Sequence, residues 1–399
     1  VTTPLPQQSP GDRREDHALA AAAAMLAIYE QAELVIIAAI AALARKTASG
    51  TVTAVSARRQ LQYTAGRVLD DAAPEARKVL EDAMQGASAA AREPAATASP
   101  AALLRQPAAP DVSQWARPLA VALDQATGNA EQAAQDSLAA VTGAVKQAAE
   151  AGPPALAAAP GRLALPPPSN PYREAVGQAF GRHGGWPGST LSARRIRAAQ
   201  DVLDDLAQHG ITGFTDRAGR NWDLASYVEM ATRTAVSNAW DDMQAQAMTR
   251  SGLDLIFTYT HSTEGSCPLC VPWLGRSLSL TGATPGYPTL AEAKAAGFRH
   301  PNCRCSWTGE GMGAMDVTNP VDLEQAAAAY KASQQQRALE RKVREAGRRY
   351  HAAVTPQARG KARRDLATAR AASAVHRQRH GVRMMKVSVQ RRERPFGAR

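Results

Sequence analysis

Every cysteine of this 399-residue chain lies between Cys267 and Cys305. The stretch opens with Cys267-Pro268-Leu269-Cys270 and closes with His300-Pro301-Asn302-Cys303-Arg304-Cys305. Each end repeats one local design: a potential ligand, a proline, one residue, a second potential ligand. Proline fixes its own φ at about −65° and suits the second position of a type I or II turn. Each end can therefore present a pre-bent pair, Cys267 with Cys270 and His300 with Cys303. Two such pairs supply four nitrogen and sulfur ligands, the set that tetrahedral zinc takes. Cys305 is a fifth candidate for four places, so the ligand set stays open. Two disulfides, plain reduced thiols, or one nucleophilic cysteine with His300 as its base are the competing readings.

The segment between the pairs is built to return the chain on itself. Gly282, Pro285, Gly286 and Pro288 break regular structure. Thr289-Leu290-Ala291-Glu292 then has the capping-box pattern, Thr at the N-cap and Glu three residues on. This predicts a short helix to about Ala296, stopped at Gly297.

Elsewhere the composition points to helices. Apolar residues make up 45% of the chain but aromatics only 5%, and alanine supplies much of the difference. Alanine buries little surface, so long helices and one modest globule are expected rather than a large enzyme core. The length allows two or three domains. The fold class expected is mainly α, with a small α+β zinc-knuckle-like lobe and extended helical N- and C-terminal regions. Net charge is +11, but residues 323–399 hold 20 Lys and Arg against 5 Asp and Glu, a balance of +15, which leaves 11 − 15 = −4 for residues 1–322.

In order, residues 1–16 read as a flexible arm opening an N-terminal helical region, 1–92. Three helices are expected there: His17 to about Lys46, Val52 to Asp71, and Ala73 to Ala91 with Pro74 in its first turn. In the first, Leu26, Tyr29, Glu33 and Ile37 share a face. This region could dock a partner or serve as a plain scaffold. Residues 93–112 are a Pro- and Ala-rich linker, 113–151 another Ala-rich helix, and 152–171 a Pro-dense spacer that no helix survives. Mixed composition begins at Tyr172 and marks a core domain, 172–320. Within it come a loop at 184–188, a helix from Ser192 to Gln208 and a hairpin from Phe214 to Trp222. A long helix then runs to about Arg250, N-capped by Asp223, with Leu224, Tyr227, Val228, Ala231, Ala235, Asn238 and Trp240 recurring at helical spacing. Arg233 on that helix is read either as a surface charge or as a buried anchor against the cysteine lobe. Residues 253–261 alternate as a strand, and His261 at its end is more readily a packing histidine than a ligand. A basic helical tail, 321–399, closes the chain as two helices split at Thr355-Pro356.

No signal peptide is expected, since the polar, Pro-rich first 17 residues lack a basic stretch leading into an apolar run. Nor is a membrane segment expected at 18–44, because Glu30, Gln31 and Glu33 interrupt it and the run from Leu34 to Ala44 is too short to span.

Several motifs together resemble the phage minor capsid protein 2 family, which is related to the F-type minor head protein of phage Mu. They are Ile211-Thr212-Gly213-Phe214-Thr215-Asp216, Gly219-Arg220-Asn221-Trp222, the run from Ser226 to Ala235, then His261, the CPLC pair with Pro272-Trp273-Leu274-Gly275, and HPNCRC. The resemblance covers roughly residues 170 to 310. It implies a structural, non-enzymatic minor head protein of a tailed phage, acting in head assembly. Such a protein would reside in the virion, and in the host cytoplasm during assembly, next to the portal or major capsid protein. On that reading Cys267, Cys270, His300, Cys303 and Cys305 are candidate ligands of a structural zinc, and residues 323–399 could touch packaged DNA. Two other functions are weighed. A zinc hydrolase would need an open coordination position and a carboxylate base, and only Glu264 and Glu310 are near. A zinc DNA-binding protein would need a recognition helix, and the short helix near 289–296 carries only Lys294 as a base.

Overall fold

The computed structural model describes residues 10–96, 113–150, 191–209, 214–215, 221–250, 252–259, 267–301, 303, 305–309 and 323–380. The 152–171 spacer, most of the 93–112 linker, the 184–188 loop, His261, Glu264, Glu310 and residues 381–399 lie outside them. The order is α1 Pro10–Ala48, α2 Ala54–Ala96, α3 Ser113–Glu150, α4 Leu191–His209, β1 Phe214–Thr215, β2 Asn221–Trp222, α5 Leu224–Arg250 and β3 Leu255–Tyr259. After these come a 3-10 turn Val271–Trp273, β4 Ser277–Ser279, α6 Leu290–Ala295, β5 Ser306–Gly309, α7 Leu323–Ala352 and α8 Pro356–His380. The chain is mainly α with a small α+β lobe, as expected.

Helix α1 is central: α2, α3, α4, α5 and α7 all pack on it. Its predicted face is buried, with Leu26, Tyr29, Glu33 and Ile37 all inaccessible, and Met25, Ile36 and Ile40 are buried beside them. It is long and apolar enough to cross a membrane by length and composition alone. Here it is the core helix of a bundle, with Glu33 inside that core. Two expectations need correcting. Residues 10–16 are not a loose arm, because α1 starts at Pro10 and Arg14 is 1% exposed. The second and third helices are one, α2, running through Pro74 to Ala96. Proline inside a helix removes one hydrogen bond and costs roughly 3 kcal/mol. Pro74 sits on the exposed side, where the freed carbonyl meets water, and Leu69, Ala72, Ala76 and Leu80 hold the buried side on both sides of it.

Helix α5 links body and lobe. Asp223 caps it as predicted, its Oδ1 accepting the Ser226 N–H at 2.8 Å. Its buried stripe includes Leu224, Val228, Val236, Ala239, Trp240 and Met243. Asn238, expected on that stripe, is exposed. The helix is buried on several sides, so three-to-four spacing alone misjudges the face. The hairpin is also found, β1 and β2 pairing antiparallel with Phe214 opposite Trp222. In the lobe, β3 is the centre of a three-stranded antiparallel sheet ordered β4-β3-β5, with Ile256 opposite both Leu278 and Gly309. Ile256, Leu278, Leu290, Phe298 and Trp307 form the lobe's core with all four cysteines. The C-terminal helices form a hairpin broken at Thr355-Pro356 as predicted, and Thr355 Oγ1 caps α8 by accepting the Ala358 N–H at 3.1 Å.

Candidate metal centre

Both predicted turns are present. The Cys270 N–H donates to the Cys267 carbonyl at 3.0 Å, and the Cys303 N–H donates to the His300 carbonyl at 2.9 Å. Between them, α6 opens with the full capping box: the Glu292 N–H bonds Thr289 Oγ1 at 3.1 Å and the Thr289 N–H bonds Glu292 Oε2 at 2.7 Å. Gly297 ends the helix at φ +100°, a backbone conformation that favours glycine, and Leu269 of the first turn packs over it. The intervening segment thereby brings the second turn back onto the first.

The two turns meet side chain to side chain. Cys267 Sγ lies 2.8 Å from His300 Nε2, and Cys270 Sγ lies 3.3 Å from Cys303 Sγ. Cys267, Cys270 and His300 form one group with ligand atoms within 4.8 Å of one another, and Cys270, Cys303 and Cys305 form a second. All five sequence candidates are therefore brought together, and Cys270 belongs to both groups. All four cysteines are buried and carry free thiols, so the disulfide reading does not describe this structure.

The surroundings suit a metal. His300 Nδ1 is 2.8 Å from the Pro301 carbonyl. That carbonyl can only accept, so Nδ1 carries the proton and Nε2 turns a lone pair toward Cys267. Such a second hydrogen bond is what orients a metal-ligating histidine. The Cys305 N–H donates to Cys303 Sγ at 3.4 Å, a contact that favours sulfur as thiolate. Hydrogen bonds from Cys270 and then Cys305 hold Cys303 well below the usual thiol range, and the Arg299 guanidinium adds to the effect. Cys270, the partner on the other side of the bond to Cys303, is pushed up.

A group that sequence reasoning missed lies directly behind the cluster. Arg14 of α1 donates from Nη1 to Asp241 Oδ1 of α5 at 2.8 Å and from Nη2 to the Cys305 carbonyl at 2.8 Å. Arg299 pairs with the other oxygen of Asp241. It also donates from Nη1 to the Cys305 carbonyl at 2.9 Å and from Nη2 to the Ser237 carbonyl at 3.3 Å. All three side chains are 3% exposed or less. Burial works against charge on Arg299, but Asp241 and then Cys303 hold it as the cation. Arg299 has a positive φ of 63°, and this backbone geometry lies one residue before His300. The structure thus ties α1, α5 and the second turn at one buried point. Arg233, weighed as a surface charge or as a buried anchor to this lobe, is buried at 5% exposure and lies near Glu229. One signal was available: Arg299 stands between a helix-stopping glycine and a candidate ligand. Arg14 and Asp241 carry no local signal, since they meet across 227 residues.

Residues 187–382 match the family model of phage minor capsid protein 2. This is the family the motifs resemble, and the match continues past residue 310 through α7 and α8. No curated protein and no solved structure matches the chain.

Proposed function

We propose that this chain, whose residues 187–382 belong to the phage minor capsid protein 2 family, is a structural minor component of a tailed-phage head with one structural zinc closing its cysteine lobe. Family membership supports a place in the virion. The proposal adds a role in head assembly, contact with the portal or major capsid protein, and passage through the host cytoplasm before assembly.

The observation that carries the zinc reading is the convergence of two turn-held pairs, Cys267 with His300 and Cys270 with Cys303. We assign these four as the ligands, with Cys305 contributing its N–H to Cys303 and its carbonyl to the two arginines. Charge favours this choice. Three thiolates, a neutral imidazole and a divalent cation sum to −1, and the Arg14–Asp241–Arg299 group beside them sums to +1. Replacing His300 by a Cys305 thiolate would leave one buried negative charge uncompensated. Zinc enclosed by four protein ligands has no open position for substrate and supplies folding free energy instead, which fits a structural protein better than a hydrolase.

Native mass spectrometry with metal analysis of the full chain tests this. One zinc per chain is expected, lost in Cys267→Ser and Cys303→Ser and retained in Cys305→Ser. A chain with no bound zinc whose lobe melts identically with and without chelator would overturn the metal reading. Purified virions should contain the chain in few copies per head; its absence from virions would overturn the head assignment independently.

A further inference from the structure

Helix α8 carries seven Lys and Arg against a single Asp, and its one substantial neighbour among the described elements is α7. The contact side is polar and thin: Ser373 and Ala362 are buried, and Gln336 Nε2 of α7 donates to Ser373 Oγ at 2.9 Å. Arg359, Lys361, Arg363, Arg364, Arg370 and Arg379 are exposed. At about 100° and about 1.5 Å per residue, Arg359, Arg363, Arg370 and Arg377 fall within roughly 40° of one another along about 27 Å of helix. Among the described residues, no hydrogen bond or ion pair engages Arg363, Arg364, Arg370 or Arg379.

Three cations of α7 behave differently, although the sequence runs the two helices together as one basic tail. Arg344 donates to Ser226 Oγ at 3.1 Å. Arg348 donates to the Ala207 carbonyl at 3.3 Å and lies 3.9 Å from Asp223. Arg349 pairs with Glu345 at 2.9 Å. Arg344 and Arg348 hold the hairpin to α4 and α5, while Arg349 is paired within α7. Lys331, Arg341 and Lys342 of α7 are exposed too, but the denser run of exposed cations is on α8, at Arg359, Lys361, Arg363, Arg364, Arg370 and Arg379.

We propose that the exposed arginine face of α8 docks on the phosphate backbone of double-stranded DNA, without reading bases. Three observations select this partner. Helix α8 itself has no Phe, Tyr or Trp to stack on unpaired bases, and the ring of Tyr350 on α7 beside it is covered by the Arg359 guanidinium, 5.6 Å from its centroid; single-strand binders use free aromatic faces. Its one exposed large apolar side chain is Val375, whereas a protein partner is usually held by a buried apolar or aromatic anchor. From Arg359 to Arg379 the arginines are spaced along about 30 Å of helix, a little under one turn of B-DNA at about 34–36 Å. A duplex offers one negative charge per about 1.7 Å of its axis, so a stripe of guanidiniums finds phosphates in any sequence. The inference does not depend on the metal.

The test uses the full chain and a labelled random-sequence duplex between 50 and 200 mM salt. Two triple variants remove the same charge from different helices: R363Q/R364Q/R370Q on α8, and K331Q/R341Q/K342Q at exposed positions of α7. All six side chains are solvent-facing, and circular dichroism confirms that each variant is folded. The α8 variant should bind at least about tenfold more weakly at 50 mM salt, with a log–log salt slope shallower by about three. The α7 variant should bind within about twofold of the parent. Equal losses in both variants would mean net charge alone acts, and overturn the assignment to α8. So would an unchanged affinity in the α8 variant, or no duplex binding at 50 mM salt. Loss of binding to empty heads lacking this chain, with duplex binding intact, would transfer the face to an acidic protein surface.

Discussion

The helical body and the cysteine lobe are built on opposite economies of structure. The body buries much small surface over long elements. Its core runs through Met25, Ile36, Ile40, Leu61, Met84, Leu138 and Leu203, with alanines filling most places between them. The lobe has strands of three to five residues and a six-residue helix around Ile256, Leu278, Phe298 and Trp307. Elements that short are marginal alone, so the lobe leans on the Arg14–Asp241–Arg299 group and, on the zinc reading proposed above, on a metal held by the cysteine cluster. On that reading one chain has two routes to stability, length in the body and ligation in the lobe.

The largest expected effect breaks the two apart. Structural zinc sites contribute roughly 10–16 kcal/mol of apparent binding free energy at neutral pH. Chelation, or Cys270→Ser, should unfold the lobe while the helical far-ultraviolet signal stays nearly constant. Loss of most helical signal would show that the body needs the lobe. Acid should separate them as well. Burial raises the carboxyl groups of Glu30, Glu229 and Asp204 above the usual range. A raised folded-state value means their contribution is fully present below the unfolded value and is lost as pH rises through the folded one. Lowering the pH from 7 to 5 should therefore leave the body as stable or more so. On the zinc reading the same change releases the ion, because protons compete with the metal for its ligands. Metal release and helix melting followed together across that range would diverge; a joint transition would contradict the comparison.

The next effect acts at the junction. Asp241→Asn leaves two buried guanidiniums without their anion, a change that costs roughly 3–5 kcal/mol. Asp241 touches both α1 and the second turn, so hydrogen exchange should rise at both the start of α1 and residues 298–301. A rise in the lobe alone would mean that Arg14 contributes little.

The junction also marks where the sequence stops being legible. The ligand turns, the capping box, the Gly297 stop and the split at Thr355-Pro356 are set by residues within a few positions of one another, and proline, glycine and capping chemistry act at that range. The strand at Leu255–Tyr259 and the hairpin at Phe214 and Trp222 were legible for the same reason. Arg14 looked like part of a polar arm because nothing nearby shows that Asp241 and the Cys305 carbonyl await it. Pro74 reads as a helix start because local rules weigh the lost hydrogen bond and not the packing of Leu69 and Leu80 in the body's core. The tail read as one basic unit because charge counting does not distinguish Arg348, buried on α4, from Arg363 in water.

Within the body, a single large side chain should matter less than the ion does to the lobe. Ile37 is fully buried, and Ile37→Ala should cost about 2–5 kcal/mol through lost burial and the cavity left behind. Thermal melts followed by helical signal should shift while zinc content stays at one per chain. A variant that loses both would show one cooperative unit in place of two.

The smallest effect asks whether the lobe is folded before it holds metal. Thr289→Ala removes the N-cap of α6, whose side chain accepts the Glu292 N–H at 3.1 Å, and loss of such a cap costs about 1 kcal/mol. Thr289 touches no candidate ligand, so the ion's own coordination is unchanged. If the metal-free lobe is unfolded, binding and folding are one reaction, and the cap's contribution is drawn from the binding free energy. Zinc affinity should then fall about fivefold, the ratio that corresponds to about 1 kcal/mol. If the lobe is already folded without metal, the cap is present on both sides of the binding reaction and the affinity should not move. Competition titration with a chelator of known affinity reads the difference. An unchanged affinity would place the lobe with the body, as a structure held by its packing with the ion as a late addition.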